Sequence, residues 1–340
     1  MGVRKSLAAL GAGGLLALLP LLSAACGGDD RETLTIYAGR SSTLVGPLLD
    51  RFAEQSGINV RVRYGDGTDL ALAILEEGNN SPADVYYAQD VGAFGALKAE
   101  GRLSELPQVI LDRVDPTFRS PDGVWVGVSG RQRVIVYNTD DIDPATLPDS
   151  ILDYTDPEWE GRLGVVPRSD GFPEFVTALR LTRGDDFARQ WLTDLKGNDP
   201  TDYPNNIAAI TAVANGEIDV AILNHYYLFR FLEEEGEDFK ARNYYFTNGD
   251  IGGLFLVAAA AILDTSKNRE AAEAFIEFLL SEEAQTYFNE ETHEYPLIEG
   301  IEVDPELQPL SEIEPPVVDL SDLTDLEGSL ELMRETGILP

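Results

Sequence analysis

The chain has 340 residues, of which 60 are acidic and 25 are basic, so that its formal net charge is −35. This length allows two compact lobes, and a hydrophobic fraction of 44% is typical of a globular protein rather than a disordered chain. The negative charge would repel a polyanion, so nucleic acid is not expected as a partner. A single cysteine excludes an internal disulfide and a multi-cysteine metal cluster.

The first residues have the layout of an export signal. Two basic residues precede an apolar run over 7–25, which ends at Cys26. The run 22–26 resembles a bacterial lipoprotein box, in which the cysteine is lipidated and becomes the new N-terminus. We therefore predict a lipoprotein signal peptide over 1–25, lipidation of Cys26 and a polar tether over 26–32. The alternative is an uncleaved membrane anchor, since the apolar run is nearly long enough to span a membrane.

After the tether, strand and helix patterns alternate. The spacing of apolar residues predicts three strands, at 33–37, 58–64 and 83–87, and two helices, at 44–55 and 69–77. This β-α-β-α-β order predicts a parallel sheet with helices on its faces. Ligands bind outside the carboxyl ends of such strands, so we expect three loops to line one cleft, at 39–42, 65–68 and 88–90.

A second group of elements follows the segment 133–138, a predicted strand long enough to cross between two lobes. The apolar segment 254–263 is predicted to be the return crossing. The other predicted strands lie at 164–167 and 220–223. One further helix is predicted to begin at 174, and three more lie at 206–214, 268–280 and 284–288. The predicted lobes are an N-terminal one, 33–133 and 257–307, and a C-terminal one, 134–256 and 308–340. Two crossings make a hinge beside a cleft, as in a binding protein that closes on its ligand.

Tyr226 and Tyr227 are the strongest candidates for ligand-binding residues. Adjacent tyrosines inside a regular strand would point to opposite faces, but these follow the predicted strand 220–223, where a bend would bring both phenols to one cleft. A phenol has a pKa of about 10, so two phenolates need a highly charged cation to compensate. Ferric iron is a hard trivalent ion that suits oxygen anions. From the dipeptide alone, however, two half-buried aromatics beside an apolar core are the commoner arrangement.

Five further polar residues lie near the predicted cleft or the tyrosine pair. Arg40 and Arg133 could each bind an anion through two hydrogen bonds, or form a salt bridge between the lobes. Asn206 and Asn224 offer neutral hydrogen bonds to an anion, or cap a helix. His225, which precedes the tyrosine pair, is expected to be a surface or hydrogen-bonded residue rather than a metal ligand.

Enzyme signatures are mostly absent from the sequence. It contains no Gly-x-Ser-x-Gly elbow, no His-Glu-x-x-His zinc helix and no Walker-type lysine loop. Two histidines and one lipidated cysteine make nucleophilic triads hard to assemble, and the second histidine, His293, is predicted to be solvated among acidic residues. The acidic residues would allow a carboxylate pair, but nothing singles one out. We therefore predict that the chain is not an enzyme.

Several segments together resemble the ferric-ion substrate-binding proteins of ABC transporters. The segments that carry the resemblance are 34–40, 81–90, 129–138, 203–206 and the Asn-His-Tyr-Tyr of 224–227. The resemblance extends over nearly all of the chain after the tether. The resemblance implies the type II periplasmic-binding (transferrin-like) fold, an α/β fold of two lobes. Each lobe is then a mixed, mainly parallel sheet flanked by helices, and two crossing strands form the hinge.

The resemblance also implies roles for particular residues. The matching tyrosine pair binds Fe(III) in this family, so Tyr226 and Tyr227 are the implied ligands. The positions that match the synergistic-anion site of some members are Ser169, Gly171, Asn206 and Asn224. Arg133 matches an arginine that supports the anion site in others.

The chain departs from the family at other ligand positions. Ser41 stands where some members have a histidine ligand, and Gln89, followed by Asp90, stands where they have a glutamate. A third tyrosine of certain members is missing, with Phe172 close to the expected place. Asp90 and Gln89 are therefore secondary candidates for the metal shell, which we expect carbonate, citrate or phosphate to complete. The residues expected to hold that anion also include Arg40, Ser41, Ser169 and Arg133.

The predicted function is capture and delivery. Lobes that close around Fe(III) and its anion would carry the ion, outside the cytoplasm, to an ABC permease in the membrane. A monomer held by its lipid anchor is expected. The nearest alternative keeps the fold and changes the ligand to a preformed iron chelate, a polyamine, a phosphonate or another small organic solute. More remote alternatives are a membrane-tethered hydrolase and an adhesion or scaffold protein.

Overall fold

The structure is a computed structural model that describes residues 33–169, 171–303 and 307–339. The predicted signal peptide, Cys26 and the tether lie outside the described residues, so their assignment stays a prediction. Within the described ranges, no helix is both long and apolar enough to cross a membrane.

Nine strands in the described residues form one mixed sheet. They are β1 (Thr33–Gly39), β2 (Asn59–Tyr64), β3 (Val85–Ala88), β4 (Val126–Asn138), β5 (Leu163–Val165), β6 (Thr201–Asp202), β7 (Val220–Asn224), β8 (Ala241–Tyr244) and β9 (Phe255–Ile262). Their order is β2-β1-β3-β9-β4-β7-β5-β6, and β8 also pairs with β4. We call β2, β1, β3, β9 and residues 126–132 of β4 the first half-sheet. Residues 133–138 of β4, with β7, β5, β6 and β8, are the second half-sheet.

The described part of the chain also forms eleven α-helices. They are α1 (Ser42–Ser56), α2 (Gly67–Glu77), α3 (Gly92–Ala99), α4 (Gln108–Leu111), α5 (Phe172–Arg183), α6 (Asp185–Gly197), α7 (Asn206–Ala214), α8 (Tyr227–Glu235), α9 (Arg269–Leu279), α10 (Glu282–Thr292) and α11 (Leu326–Glu335). The predicted β-α-β-α-β order of the first half-sheet is confirmed, because β1 runs parallel to both β2 and β3 and helices follow β1 and β2.

Helix α1 shows how the local sequence places a cleft loop. Its buried residues follow the three- and four-residue spacing of one helix face: Val45, Leu48, Leu49 and Phe52. Gly57 ends the helix in the left-handed region with φ 71°, a conformation that glycine adopts without a steric penalty. Only Arg40 and Ser41 separate β1 from α1, so these two residues are held at the carboxyl end of β1.

Strand β4 connects the two half-sheets. Its residues 126–132 pair with β9, and its residues 133–138 pair with β7 and β8. The predicted crossing at 133–138 is therefore the second part of a longer strand. On the return path, the carbonyl oxygen of Leu254 accepts from the N–H of Arg133 at 3.0 Å, and β9 begins at Phe255 opposite Gln132. Thus β4 and β9 lie side by side where the chain passes between the half-sheets.

The last described segment, 307–339, contacts helices associated with both half-sheets. Helix α11 packs on α5, which follows β5, whereas the short 3₁₀ helix Leu320–Asp322 packs on α3, which follows β3. The contact with α3 is close, since a Cβ atom on Gly92 would lie 2.7 Å from the carbonyl oxygen of Leu323. The segment therefore spans the two halves of the molecule. The predicted boundaries of the two lobes remain predictions.

Candidate functional site

The carboxyl ends of β1, β2 and β3 border a cleft of about 630 Å³. The residues that line it from the first half-sheet include Arg40, Ser41, the loop 65–68, Gln89 and Asp90. From the chain after β5 come Ser169 and Glu174, and α11 contributes Leu326 and Leu330. The three predicted loops thus meet at one cleft, because parallel strands end at the same edge of a sheet.

The tyrosine pair lies between the end of β7 and the first turn of α8. The backbone of Tyr226 is already helical, with φ −69° and ψ −18°, and α8 begins at Tyr227. Because of this bend, the two side chains lie on the same side of the chain, with hydroxyl oxygens 3.2 Å apart and ring centroids 4.4 Å apart. Both residues are only partly buried. The pair therefore presents two adjacent oxygen atoms.

A second tyrosine pair shows the contrasting arrangement. Tyr86 and Tyr87 lie within β3, where both are fully buried. The hydroxyl of Tyr86 donates to the carbonyl oxygen of Gly67 at 2.8 Å, while Tyr87 packs against Phe275. This is the core arrangement that a tyrosine dipeptide most often adopts, and the pair at the end of β7 does not share it.

The surroundings of Tyr226 include groups that raise the pKa of its phenol and groups that lower it. Burial raises the pKa of Tyr226 well above its ordinary value of 10, and the adjacent Tyr227 hydroxyl raises it further. The charge of Arg131 and a hydrogen bond with Asn224 lower that pKa. The Tyr226 phenol is therefore neutral at pH 7 in this structure, and a metal that takes its oxygen as a phenolate must displace the proton.

Three buried arginines, Arg40, Arg131 and Arg133, interact electrostatically with Tyr226, and they are paired to different extents. Arg40 forms two hydrogen bonds with Glu294, at 3.0 and 2.7 Å, and Arg131 pairs with the carboxylate of Asp90. Arg133 forms no ion pair within the described residues, although the charge of Glu174 acts on it. Its Nη1 atom donates to the side-chain oxygen of Asn224 at 3.3 Å, and burial lowers its pKa to about 10. Arg133 is thus the arginine most available to an anion.

Two of the predicted anion-binding residues, Gly171 and Asn224, lie beside Arg133. A Cβ atom on Gly171 would lie 3.2 Å from Nη1 of Arg133 and 3.2 Å from the side-chain oxygen of Asn224. The Nε atom of Arg133 is buried and lacks a hydrogen-bond partner in the described residues, and the same holds for the side-chain oxygen of Asn206, at the start of α7. Buried polar atoms left in this way are costly unless a ligand or water satisfies them. Because Gly171 has no Cβ atom, its main chain approaches the side chains of Arg133 and Asn224 closely.

Other predicted site residues already have partners. Arg40 forms a salt bridge with Glu294, which lies in the same predicted lobe, so it is not the bridge between the lobes that was the alternative to anion binding. Asp90 would have to leave Arg131 to reach a metal. Ser41 is exposed, with its hydroxyl 2.7 Å from that of Thr43. The main-chain oxygen of Gln89 accepts from Arg131 at 2.7 Å. In addition, the hydroxyl of Ser169 donates to the carbonyl oxygen of Val166. The roles predicted for these residues remain predictions.

Three residues beside the site were not anticipated. Arg131 lies two positions before Arg133 on β4, so the period-two alternation of a strand could have placed both on one face. Glu174, near the start of α5, accepts from the N–H of Gly171 at 2.7 Å, and burial raises its pKa to about 8. Glu294, the partner of Arg40, is distant in sequence, and no local pattern indicates it.

The two histidines are both buried. His225 is fully buried and hydrogen-bonded through both ring nitrogens, as the expectation of a hydrogen-bonded residue allowed. Burial lowers its pKa to about 4, so the ring is neutral at pH 7. The prediction that His293 is solvated was wrong: it is 7% exposed and stacks on Phe229 with ring centroids 5.2 Å apart. The tertiary fold buries it despite its acidic neighbours in sequence.

No cluster of three or more His, Cys, Asp or Glu side chains suited to a metal occurs among the described residues. A metal held at the tyrosine pair would therefore depend on other oxygen donors, and the adjacent phenols supply two of them. Phenolate oxygens suit a hard, highly charged cation.

The chain is similar over most of its length to known proteins. Residues 80–318 match the family of bacterial extracellular solute-binding proteins. The major ferric iron-binding protein of Neisseria meningitidis serogroup A is 34% identical over 310 residues, which cover 90% of this chain and 93% of that protein. Iron-bound HitA from Pseudomonas aeruginosa is 39% identical with a TM-score of 0.81, over 90% of this chain and 99% of HitA. Trichodesmium IdiA (FutA), solved with iron and citrate ligands, is 27% identical with a TM-score of 0.79, over 90% of this chain and 99% of that protein.

These likenesses confirm the predicted two-lobed α/β fold and the prediction that the chain is a binding protein rather than an enzyme. The chain belongs to the bacterial extracellular solute-binding proteins, in the group of ferric-ion binding proteins of ABC transporters.

Proposed function

We propose that this chain captures Fe(III) outside the cytoplasm, with the phenolates of Tyr226 and Tyr227 as protein ligands, and delivers it to an ABC permease. The observation that carries the proposal is the 3.2 Å separation of the two phenol oxygens. Adjacent oxygen ligands of an octahedral ion, each about 2 Å from the metal, lie about 3 Å apart. The named relatives that bind ferric iron support the choice of metal.

An exogenous anion completes the metal shell in this proposal. Arg133 forms no ion pair with a carboxylate in the described residues, although the charge of Glu174 acts on it, and Asn224 and Gly171 lie beside it. Ser169, Asn206 and Arg40 are further candidates from the sequence. Carbonate, phosphate and citrate all offer the oxygen atoms required, and the structure of the Trichodesmium relative with iron and citrate supports the last of these. Asp90 and Gln89 remain secondary metal-ligand candidates.

The cellular setting of the proposal comes from the sequence. A lipid attached to Cys26 would hold a monomeric binding protein beside the membrane, where the closed, iron-loaded lobes dock on the permease. Opening of the lobes, protonation of the phenolates or reduction to Fe(II) would then release the ion. Cys26 itself lies outside the described residues.

Ferric citrate added to the purified chain tests the iron ligands. The mixture should turn orange-red through a tyrosinate-to-iron charge-transfer band, and elemental analysis should find about one iron per chain. The Tyr226→Phe variant should lose most of the band because one phenolate is gone. As a control, Tyr244→Phe removes a hydroxyl at another site, on β8, and should keep the colour. A colourless wild-type protein without bound iron would rule the proposal out.

One observation favours a second candidate with the same fold. The cation of Arg133 would also suit an organic anion or a phosphonate in the absence of iron. Calorimetry separates the two candidates. Under the iron proposal, phosphate or a phosphonate binds weakly alone and ferric iron raises its affinity, whereas the second candidate binds its anion tightly without metal. The three buried arginines disfavour a polyamine.

A further inference from the structure

His225 is fixed through both nitrogens of its ring. The main-chain N–H of Gln132 donates to Nδ1 at 3.1 Å, and Nε2 lies 2.8 Å from the carbonyl oxygen of His293. A main-chain N–H only donates and a carbonyl only accepts, so the ring carries its proton on Nε2. Neither nitrogen remains for a metal.

The main chain of the same residue is also held. The N–H of His225 donates to the carbonyl oxygen of Gln132 at 3.0 Å, and its carbonyl oxygen accepts from the side-chain amide of Asn243 at 2.9 Å. Four hydrogen bonds therefore tie one residue to β4, to β8 and to the end of α10. The ladder between β4 and β7 ends at the pair Arg133 and Asn224, and the imidazole adds one further bond to it.

These bonds meet where the two half-sheets join. Gln132 is the last residue of β4 that pairs with β9, and Arg133 is the first that pairs with β7. His293 directly follows α10 and precedes Glu294, the partner of Arg40. The ring of His225 thus connects the end of β7, in the second half-sheet, to a segment that belongs with the first.

The ring also contacts the first of the two tyrosines. The His225 and Tyr226 rings meet edge to face, with centroids 5.6 Å apart and an interplanar angle of 88°. Tyr295 packs on the same imidazole with a centroid distance of 4.7 Å. A change in the orientation of His225 would therefore move Tyr226 directly.

We propose that His225 is a positioning residue that pins the start of the tyrosine pair to the hinge, so that both phenol oxygens face one ion in a single geometry. The inference rests on the proposed iron site, in which His225 is not a ligand. Residues that orient metal ligands typically change metal affinity by about 10- to 100-fold when they are removed.

Three variants test the proposal. His225→Phe keeps a ring against Tyr226 but removes both side-chain hydrogen bonds. His225→Gln retains a side-chain donor for the carbonyl oxygen of His293. As a stability control, Leu192→Ala removes a buried side chain from α6, which packs on α5 and α11 rather than on the hinge. Ferric affinity, the charge-transfer band and the melting temperature are measured for each.

We expect His225→Phe to weaken ferric binding by about 10-fold or more and to shift and broaden the charge-transfer band. Relative to His225→Phe, the His225→Gln variant should recover part of the ferric affinity and part of the wild-type charge-transfer band. Leu192→Ala should lower the melting temperature and leave the band unchanged. A wild-type band and affinity in His225→Phe would overturn the proposal, as would an equal change of the band in Leu192→Ala.

Amide hydrogen exchange in the iron-free chain gives a second, metal-independent test. In His225→Phe, the amide of Gln132 loses its acceptor, so exchange at 130–134 and 224–228 should become faster than in the wild type. Unchanged exchange there would contradict the pinning role. A wild-type protein that binds no iron, yet shows this faster exchange in the variant, would overturn the proposed function while leaving the structural role of His225 standing.

Discussion

At the scale of single residues, the three buried arginines beside the tyrosine pair divide into two kinds. Arg40 and Arg131 are neutralised within the fold, by Glu294 and Asp90. Arg133 forms no ion pair in the described part of the chain, and burial lowers its pKa to about 10 although the charge of Glu174 acts against this. A buried cation that forms no ion pair costs folding free energy. Arg133 is therefore expected to serve a ligand rather than stability.

Arg133→Met separates these two roles. Methionine replaces a buried charge by a flexible apolar side chain, so the free energy of unfolding should stay within about 1 kcal/mol of the wild type or rise. Ferric affinity in carbonate buffer should fall by about 10- to 100-fold, because the anion loses its counter-charge. Denaturant unfolding and ferric titration measure the two quantities. Arg269→Met, on the exposed surface of α9, should change neither. A loss of several kcal/mol with unchanged iron affinity would show that Arg133 is structural.

At the scale of elements, the sequence pattern predicted most strands and helices but only part of the hinge. The segment 133–138 was predicted, whereas 126–132 of the same strand was not. That first part contains Gly127 and Gly130 and leads to the buried Arg131, so it lacks the clear apolar alternation of an isolated strand. It is a strand because β9 pairs with it. Pairing between distant segments is invisible to local patterns.

The contact between the C-terminal segment and α3 leads to a prediction for Gly92→Ala. The added Cβ atom would lie 2.7 Å from the main-chain oxygen of Leu323, and main chain yields less readily than a side chain. We expect the free energy of unfolding to fall by about 1–3 kcal/mol, and limited proteolysis to cut the segment 307–325 more quickly.

Gly197→Ala is the matched control for this prediction. Gly197 ends α6, with no heavy atom within 4 Å of its added Cβ, so alanine should be neutral or stabilising by up to about 1 kcal/mol. Equal stability of Gly92→Ala and the wild type would show that the segment shifts freely against α3.

At the scale of the whole molecule, charge is distributed unevenly. Arginines are buried around the tyrosine pair, within a chain whose formal net charge is −35. The local positive charge favours the anionic part of a ferric complex, whereas the negative exterior raises the concentration of cations nearby. The same excess of acidic side chains destabilises the folded state at low salt, because the carboxylates repel one another.

Salt should therefore stabilise the protein. Raising NaCl from 0.01 M to 0.15 M shortens the Debye length from about 30 Å to about 8 Å, which screens the repulsion between acidic side chains. We expect the melting temperature of the iron-free chain to rise by about 2–5 °C, as followed by circular dichroism. Choline chloride should act like NaCl, since the effect needs no specific ion. A melting temperature that is constant or falls with salt would contradict this account.

The sequence by itself determined the α/β order, the loops that border the cleft and the tyrosine pair, because strand and helix periodicity and strand order are local properties. The resemblance in its motifs determined the family. Only the tertiary structure decided which arginine forms no ion pair, that Asp90 and Arg40 are already paired, and that both ring nitrogens of His225 are hydrogen-bonded. Each of these depends on residues tens to hundreds of positions apart in the chain, so burial and pairing in the folded molecule, rather than any local pattern, set the electrostatics of the site.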